Sequence, residues 1–170
     1  MTQWIEQHHE ESEGMGAIFP PMVYTQVALR CMGYPDDHPL LVRLRQDLDD
    51  LMVYADGSRQ RDHRQHGTTP PAEGPIRIQP CFSPVWDTGI AAYALADAGL
   101  TDEHADIARV RDWLVAHECT HVGDWANNLP KGTPPGGWYF EYANPWYPDV
   151  DDTAMVAMAL TRDWRRCRVR

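Results

Sequence analysis

The sequence predicts an all-α fold, a partial α/α toroid made of repeated helix pairs and left as an incomplete barrel. Three observations carry that expectation. First, one pattern recurs at Pro21–Leu29, Pro84–Leu95 and Pro148–Leu160, with Thr25, Thr88 and Thr153 at near-equal intervals along the chain. Second, more charged segments lie between these apolar ones, with leucines or other aliphatics at helical spacing. Third, no segment shows the apolar–polar alternation of a half-buried strand.

Taken in order, each repeat unit opens on a proline near the first turn, a position helices tolerate because that N–H has no partner anyway. Each then becomes small and apolar. The first two stop at Gly33 and Gly99, residues suited to the left-handed end of a helix. These inner helices are expected to be buried all round. The outer helices carry Leu40, Leu41, Leu44, Leu48 and Leu51 after Pro39, and Ile107, Val110, Leu114 and Val115 after Thr101, each set forming one apolar stripe. Helix pairs of this kind must stack on their neighbours to bury their faces. Two pairs and the start of a third are too few to close a ring. Ser58–Pro80 and Asn127–Pro148, rich in Pro, Gly, His or aromatics, read as linkers. Residues 1–160 therefore read as one partial α/α-barrel segment, and 161–170 as an atypical basic tail.

A formal net charge of -10 over 170 residues argues against a nucleic-acid partner. The charge reverses at the end, where Arg162, Arg165, Arg166, Arg168 and Arg170 cluster. No apolar run is long enough to span a membrane, and Met1–Glu6 lacks the pattern of a secretory signal. Cys31, Cys81, Cys119 and Cys167 show no close pairing and read as free thiols of a reducing compartment. Seven Trp and seven Tyr suit an aromatic-lined cavity, although large cores use them too.

Asp149-Val150-Asp151-Asp152 is the most informative stretch. It follows Pro145-Trp146-Tyr147-Pro148 and leads into the apolar run from Thr153 to Leu160. Like charges this close raise at least one carboxyl pKa, so one acid stays protonated near neutral pH and becomes a proton donor. The plainer reading is helix capping, which Asp and Thr perform routinely. Three acids in four positions exceed what a cap requires. In the repeat, Asp87 and Asp152 fall in the same slot before Thr, where a cap or an inter-helix hydrogen bond is the default. Asp151 replaces Trp86 and is the residue that the fold alone does not explain.

The segments Phe19-Pro20-Pro21-Met22-Val23-Tyr24, Gln79-Pro80-Cys81-Phe82-Ser83-Pro84-Val85-Trp86-Asp87-Thr88, Gly123-Asp124-Trp125, Gly136-Gly137-Trp138-Tyr139-Phe140 and Tyr147–Ala154 resemble, in order, the squalene–hopene cyclases. These are class II triterpene cyclases within the prenyltransferase/squalene oxidase repeat family. Trp113-Leu114, Glu118 and Gly123-Asp124-Trp125 resemble the family's Gln–Trp repeat, with Glu118 where Gln is usual. The resemblance implies α/α barrel domains around a hydrophobic cavity and attachment to a membrane surface. It implies a cytoplasmic, peripheral location on the inner face of a bacterial membrane, and allows a homodimer of the intact enzyme. It also implies proton-initiated cyclisation of squalene, or a similar linear isoprenoid, to hopene or hopanol without metal or organic cofactor. On that basis Asp151 is the proton donor, flanked by Asp149 and Asp152. Trp86 and Phe140 line the cavity, and Asp87 joins them as a substrate-binding candidate. The Asp-Val-Asp-Asp form points to squalene itself, since the oxidosqualene branch carries a different acidic motif.

Two departures stand out. The family segment supplying the His that pairs with the acid is absent, and the sequence after Leu160 does not resemble the family. A truncated or frame-shifted central fragment is the expectation. The competing reading is a non-catalytic helical scaffold that needs a partner chain.

Two rival motifs compete for the same residues or their neighbours. Asp149–Thr153 also fits the Asp-x-Asp-x-Thr of haloacid-dehalogenase-like phosphatases, but that motif needs an apolar strand before it and an α/β domain after it. His117-Glu118-Cys119-Thr120-His121 matches the zinc-protease pattern, with both His on one helical face. Gly123 stops that helix early, so no zinc is expected. For the acidic motif the expectation is a place at the N-terminal end of an inner helix, at the mouth of an apolar cavity, with the Trp86 helix parallel beside it. In an open chain its acids are expected to be mostly ionised.

Overall fold

The computed structural model describes residues 2–100, 104–144 and 146–162. Thr101, Pro145, Cys167 and the basic tail beyond Arg162 lie outside the described residues. The chain divides into two compact units, Met1–Phe82 and Ser83–Arg170. The all-α expectation holds: helices dominate both units, and the strands are two residues long.

The first unit contains α1 (Thr2–Glu11), the single turn α2 (Glu13–Gly16), α3 (Phe19–Cys31), α4 (Pro39–Asp49) and α5 (Gln60–His66). Prolines sit in the first turn of both α3 and α4. Helix α3 buries Met22, Thr25, Gln26 and Leu29, one stripe at helical spacing, while Tyr24 and Val27 face solvent. Leu29 packs with Ile5, Leu40, Leu41 and Leu44. Gln26 Nε2 donates to the Leu44 carbonyl at 3.2 Å, tying α3 to α4. Asp47, buried on α4, lies 2.6 Å from His9 Nε2 and pairs with Arg43 Nε at 3.2 Å. The unit closes where Phe19 N donates to the Pro80 carbonyl and Phe82 N to the Ala17 carbonyl.

The segment read as a linker from Ser58 to Pro80 is more ordered than expected. It holds α5 and pairs β2 (Arg77–Ile78) with β1 (Met52–Val53) as a short antiparallel hairpin. Neither was visible to periodicity. Two residues cannot show an alternation, and Gln-Arg-Asp-His-Arg-Gln-His has no apolar stripe. Helix α5 starts instead from its local cap, in which Arg59 N donates to Asp62 Oδ2.

The second unit contains α6 (Pro84–Asp97), α7 (Ala105–Ala116), a 3₁₀ turn (Asp124–Asn128) and α8 (Val150–Thr161). A Cβ at Gly89 would lie 3.4 Å from Met155 Cγ and 3.5 Å from Val156 Cγ2, so α6 and α8 meet backbone to side chain there. Further along both helices, Arg162 donates to Tyr93 Oη at 2.8 Å, lies over the Tyr93 ring and pairs with Asp97. The partners advance together, so the two helices run in the same direction with their N-termini on one side. Val85 clusters with Leu114 and Val156, and Ala92 and Ala96 with Ile107 and Ala159. Helix α7 thus runs antiparallel against α6.

One expectation is corrected. The inner helices are not buried all round: α6 buries Val85, Gly89, Ala92 and Ala96 but leaves Ile90 and Leu95 exposed. Helices α7 and α8 cover one side of α6, and no other described element of this unit covers the opposite side.

Candidate active site

The acidic motif is built by the start of α8 and the loop that precedes it. Asp149 is the N-cap: its Oδ1 accepts from Asp152 N at 2.8 Å, meeting one of the helix's orphan donors. Asp149 N donates to the Trp138 carbonyl at 3.0 Å. Trp138 N donates to Thr153 Oγ1 at 3.0 Å, so the repeat's threonine anchors the loop onto the helix. Gly137 adopts φ +85°, and a Cβ there would sit 2.7 Å from Thr153 Oγ1; both facts demand glycine. Trp138 Nε1 donates to the Leu114 carbonyl at 2.6 Å, pinning the loop to the end of α7.

This docking decides which acid is special. Asp149 and Asp151 are exposed, whereas Asp152 is 3% exposed. Burial, reinforced by the hydrogen bond and charge of Asp149 and then by Glu141 and Asp151, lifts the Asp152 carboxyl to about 8. The expectation of mostly ionised acids in an open chain therefore fails for Asp152, because the loop shields this carboxyl locally. Asp152 Oδ1 has no hydrogen-bond partner among the described residues. The preceding loop buries two further polar side chains, Glu141 and Asn144, with Asn144 Nδ2 donating to Glu141 Oε1 at 3.0 Å. The sequence does not connect either to the acidic motif; Glu141 offers itself there only as a third ligand for the zinc-protease match. Their signal, polar residues inside an aromatic loop, is ordinary.

The remaining candidates separate. Asp87 is exposed and accepts from Ser83 Oγ at 3.0 Å, a side-chain contact in the first turn of α6 that satisfies no backbone N–H. Trp86, half-buried on the first turn of α6, lies at the same end of the helix pair as the motif. Phe140 is half-buried on the docking loop. A largely apolar cavity of about 540 Å³ opens beside α8, walled by Trp125, Leu129, Pro134, Val150, Ala154 and Ala157. Asp149 and Thr153 also line it; Asp151, Trp86 and Phe140 do not.

The zinc-protease match is not helical. Helix α7 ends at Ala116, and Cys119 N donates to the Gly137 carbonyl instead of continuing the helix. His117 Nδ1 is paired with the Trp113 carbonyl at 2.8 Å, while the His121 ring packs edge-on against Trp146. The two His therefore do not share a helical face. Among the described residues no group of three His, Cys, Asp or Glu side chains could hold a metal. The phosphatase match also lacks its context, since the described strands lie at 52–53 and 77–78 and none precedes Asp149.

Family models fit both units. Residues 1–57 match the squalene-hopene cyclase N-terminal domain, and residues 82–168 match the squalene-hopene cyclase C-terminal domain. The chain belongs to the squalene–hopene cyclase family. The second match starts at the boundary between the two units and continues past Leu160 into the basic tail. A squalene-hopene cyclase of Schizosaccharomyces japonicus is 39% identical over 94% of this chain and 23% of the relative. A squalene–hopene cyclase of Zymomonas mobilis is 36% identical over 95% of this chain, and one of Alicyclobacillus acidocaldarius 34% identical over 92%. This chain covers 23% and 22% of those two relatives, so it spans little more than a fifth of their length.

Proposed function

We propose that this chain is the acid-bearing segment of a squalene–hopene cyclase, and that Asp151 delivers the initiating proton to a terminal alkene of squalene. The observation that carries the reading is the buried Asp152 at the start of α8, its carboxyl raised by burial to about 8 within a run of three acids. In the proposed step the Asp151 O–H bond breaks and a C–H bond forms at the terminal alkene carbon, leaving a tertiary cation and a carboxylate. Successive alkenes attack the cation and close rings. Loss of a proton then gives hopene, and capture of water gives hopanol. Asp149 holds the helix start. Asp152, kept neutral, contributes no negative field to its neighbour at the moment the proton leaves. Trp86 and Phe140 serve as aromatic faces for the migrating cation, each interaction contributing about 0.5–2 kcal/mol. Asp87 is kept as a weaker candidate at the substrate.

The same reading places the intact enzyme on the inner face of a bacterial membrane, allows it to be a homodimer, and assigns the Trp113–Trp125 stretch to a Gln–Trp-type repeat. No described helix is long and apolar enough to cross a membrane.

A second reading is favoured by the exposed apolar sides of α6 and α8. It treats the isolated chain as a catalytically idle scaffold that acts only with the rest of the cyclase fold. Incubation of the purified chain with squalene, followed by gas chromatography–mass spectrometry for pentacyclic product, separates the two: product supports catalysis by the chain itself, and its absence supports the scaffold. The role of Asp151 is tested in an intact relative by replacing the aligned aspartate with Asn. Loss of turnover by several orders of magnitude is expected, and near-normal turnover removes Asp151 from the role.

A further inference from the structure

We propose that Trp138 is a positioning residue for the proton donor: its main chain grips the acidic turn at both ends, and its indole fixes that grip where α6, α7 and α8 meet. The inference rests on the proton-donor reading for its catalytic meaning, and its first test needs no turnover.

The acidic turn begins at Asp149 and ends at Thr153, and one residue bonds both. Asp149 N donates to the Trp138 carbonyl at 3.0 Å, and Trp138 N donates to Thr153 Oγ1 at 3.0 Å. Inside the turn, Asp149 Oδ1 accepts from Asp152 N at 2.8 Å, and the Asp149 carbonyl accepts from Thr153 N at 3.2 Å. The backbone on either side of Asp151 is therefore tied down. The Asp151 side chain itself is exposed, and among the described residues no hydrogen bond holds it. Where its carboxyl stands follows from the backbone of the turn, and Trp138 sets that backbone.

The indole gives the grip a fixed place. Its Nε1 donates to the Leu114 carbonyl at 2.6 Å, at the end of α7. Its ring packs against the cluster of Val85, Leu114 and Val156, which come from α6, α7 and α8 in turn. Val85 stands next to Trp86 in the first turn of α6. The proposed acid and the proposed cation-stabilising aromatic thus share one support. The Leu114 carbonyl also accepts from His117 N at 3.1 Å, so loss of the indole donor leaves no orphaned carbonyl. Removing that N–H should loosen the turn without undoing the fold. Proton delivery is sensitive to such loosening, because a misplacement of about 1 Å can cost about 10²-fold in rate.

The first test is amide hydrogen exchange of this chain, followed by NMR. Trp138→Phe keeps a ring in the cluster and removes the donor. It should speed exchange at the Asp149 amide by about tenfold, with a smaller change at Ala92 in α6 and circular dichroism unchanged. Thr153→Val removes the acceptor at constant shape and should expose the Trp138 amide, whereas Thr153→Ser should keep it protected. In an intact relative, Phe at the aligned tryptophan should lower kcat about 10- to 100-fold while KM stays within about threefold. Unchanged protection of Asp149 in Trp138→Phe overturns the proposal, and so does an equal loss of protection at Asp149 and Ala92. An unchanged kcat in the relative overturns it as well. If Trp138→Phe does not fold, the Thr153 pair decides: equal protection of the Trp138 amide in Thr153→Val and Thr153→Ser overturns it. If Asn at the aligned Asp151 position leaves turnover intact, the proton-donor reading falls and the exchange result stands.

Discussion

The three acids of Asp149-Val150-Asp151-Asp152 do three different things, although their side chains are chemically identical. Asp149 caps α8, Asp151 faces solvent and Asp152 is buried under the 138–148 loop. From crowding, the sequence predicts that one of these carboxyls is raised. It does not show which, because burial of Asp152 depends on Gly137 and Trp138 docking on Thr153, contacts that local spacing does not encode. The consequence for stability has a definite sign. Asp152 has its carboxyl raised to about 8 in the fold, against about 3.9 in an unfolded chain, so the folded state binds the extra proton between these values. Stability should fall as pH rises from about 4 to 8. Asp152→Asn should flatten that slope and stabilise the chain at pH 8, read from urea midpoints at pH 5 and pH 8. A steeper slope in the variant would contradict the assignment.

Among the elements, the inner repeat was legible and the ornaments were not. A proline in the first turn of α6 or just before the cap of α8, a threonine shortly after and small apolar residues beyond locate the two helices, and their contacts confirm a parallel pair. The small residues matter for a reason that periodicity does not state: Gly89 allows α8 to approach to within 3.4–3.5 Å of the space a methyl would fill. Gly89→Ala should therefore be tolerated. Gly89→Leu forces Met155 and Val156 aside and should cost about 1–3 kcal/mol, measured by thermal denaturation. Gly137→Ala is the harsher change, since it meets both a positive φ and Thr153 Oγ1. It should cost about 1–3 kcal/mol and, by loosening the loop, lower the Asp152 midpoint as well. The His-Glu-x-x-His match shows the opposite limit of pattern reading. It supplies both histidines at helical spacing, yet the bond from Cys119 N to the Gly137 carbonyl draws that stretch off the helix. A long-range bond overrode local spacing, and the same loop that buries Asp152 is responsible.

At the scale of the whole molecule, the fold class was legible because helix pairs of this composition leave few alternatives, while the extent of burial was not. Sequence reading expects inner helices to be enclosed. In the second unit the outer sides of α6 and α8 present Ile90 at 42%, Leu95 at 38%, Met158 at 49% and Val150 at 82% exposure. Soluble monomers rarely leave so many large apolar side chains open on neighbouring helices, and those that do tend to associate. This chain spans little more than a fifth of its relatives, and in a longer chain further helices would cover these sides. The isolated chain is therefore expected to bind the dye ANS and to self-associate with rising concentration, seen by light scattering. Ile90→Glu combined with Met158→Glu should reduce both signals while helical content stays the same, because neither side chain belongs to the clusters that join α6, α7 and α8. Introduced at the aligned positions of an intact relative, the same pair should destabilise, since there a charge would enter a covered face without a partner. Equal behaviour in the two settings would mean that these sides of α6 and α8 face water in the complete protein too.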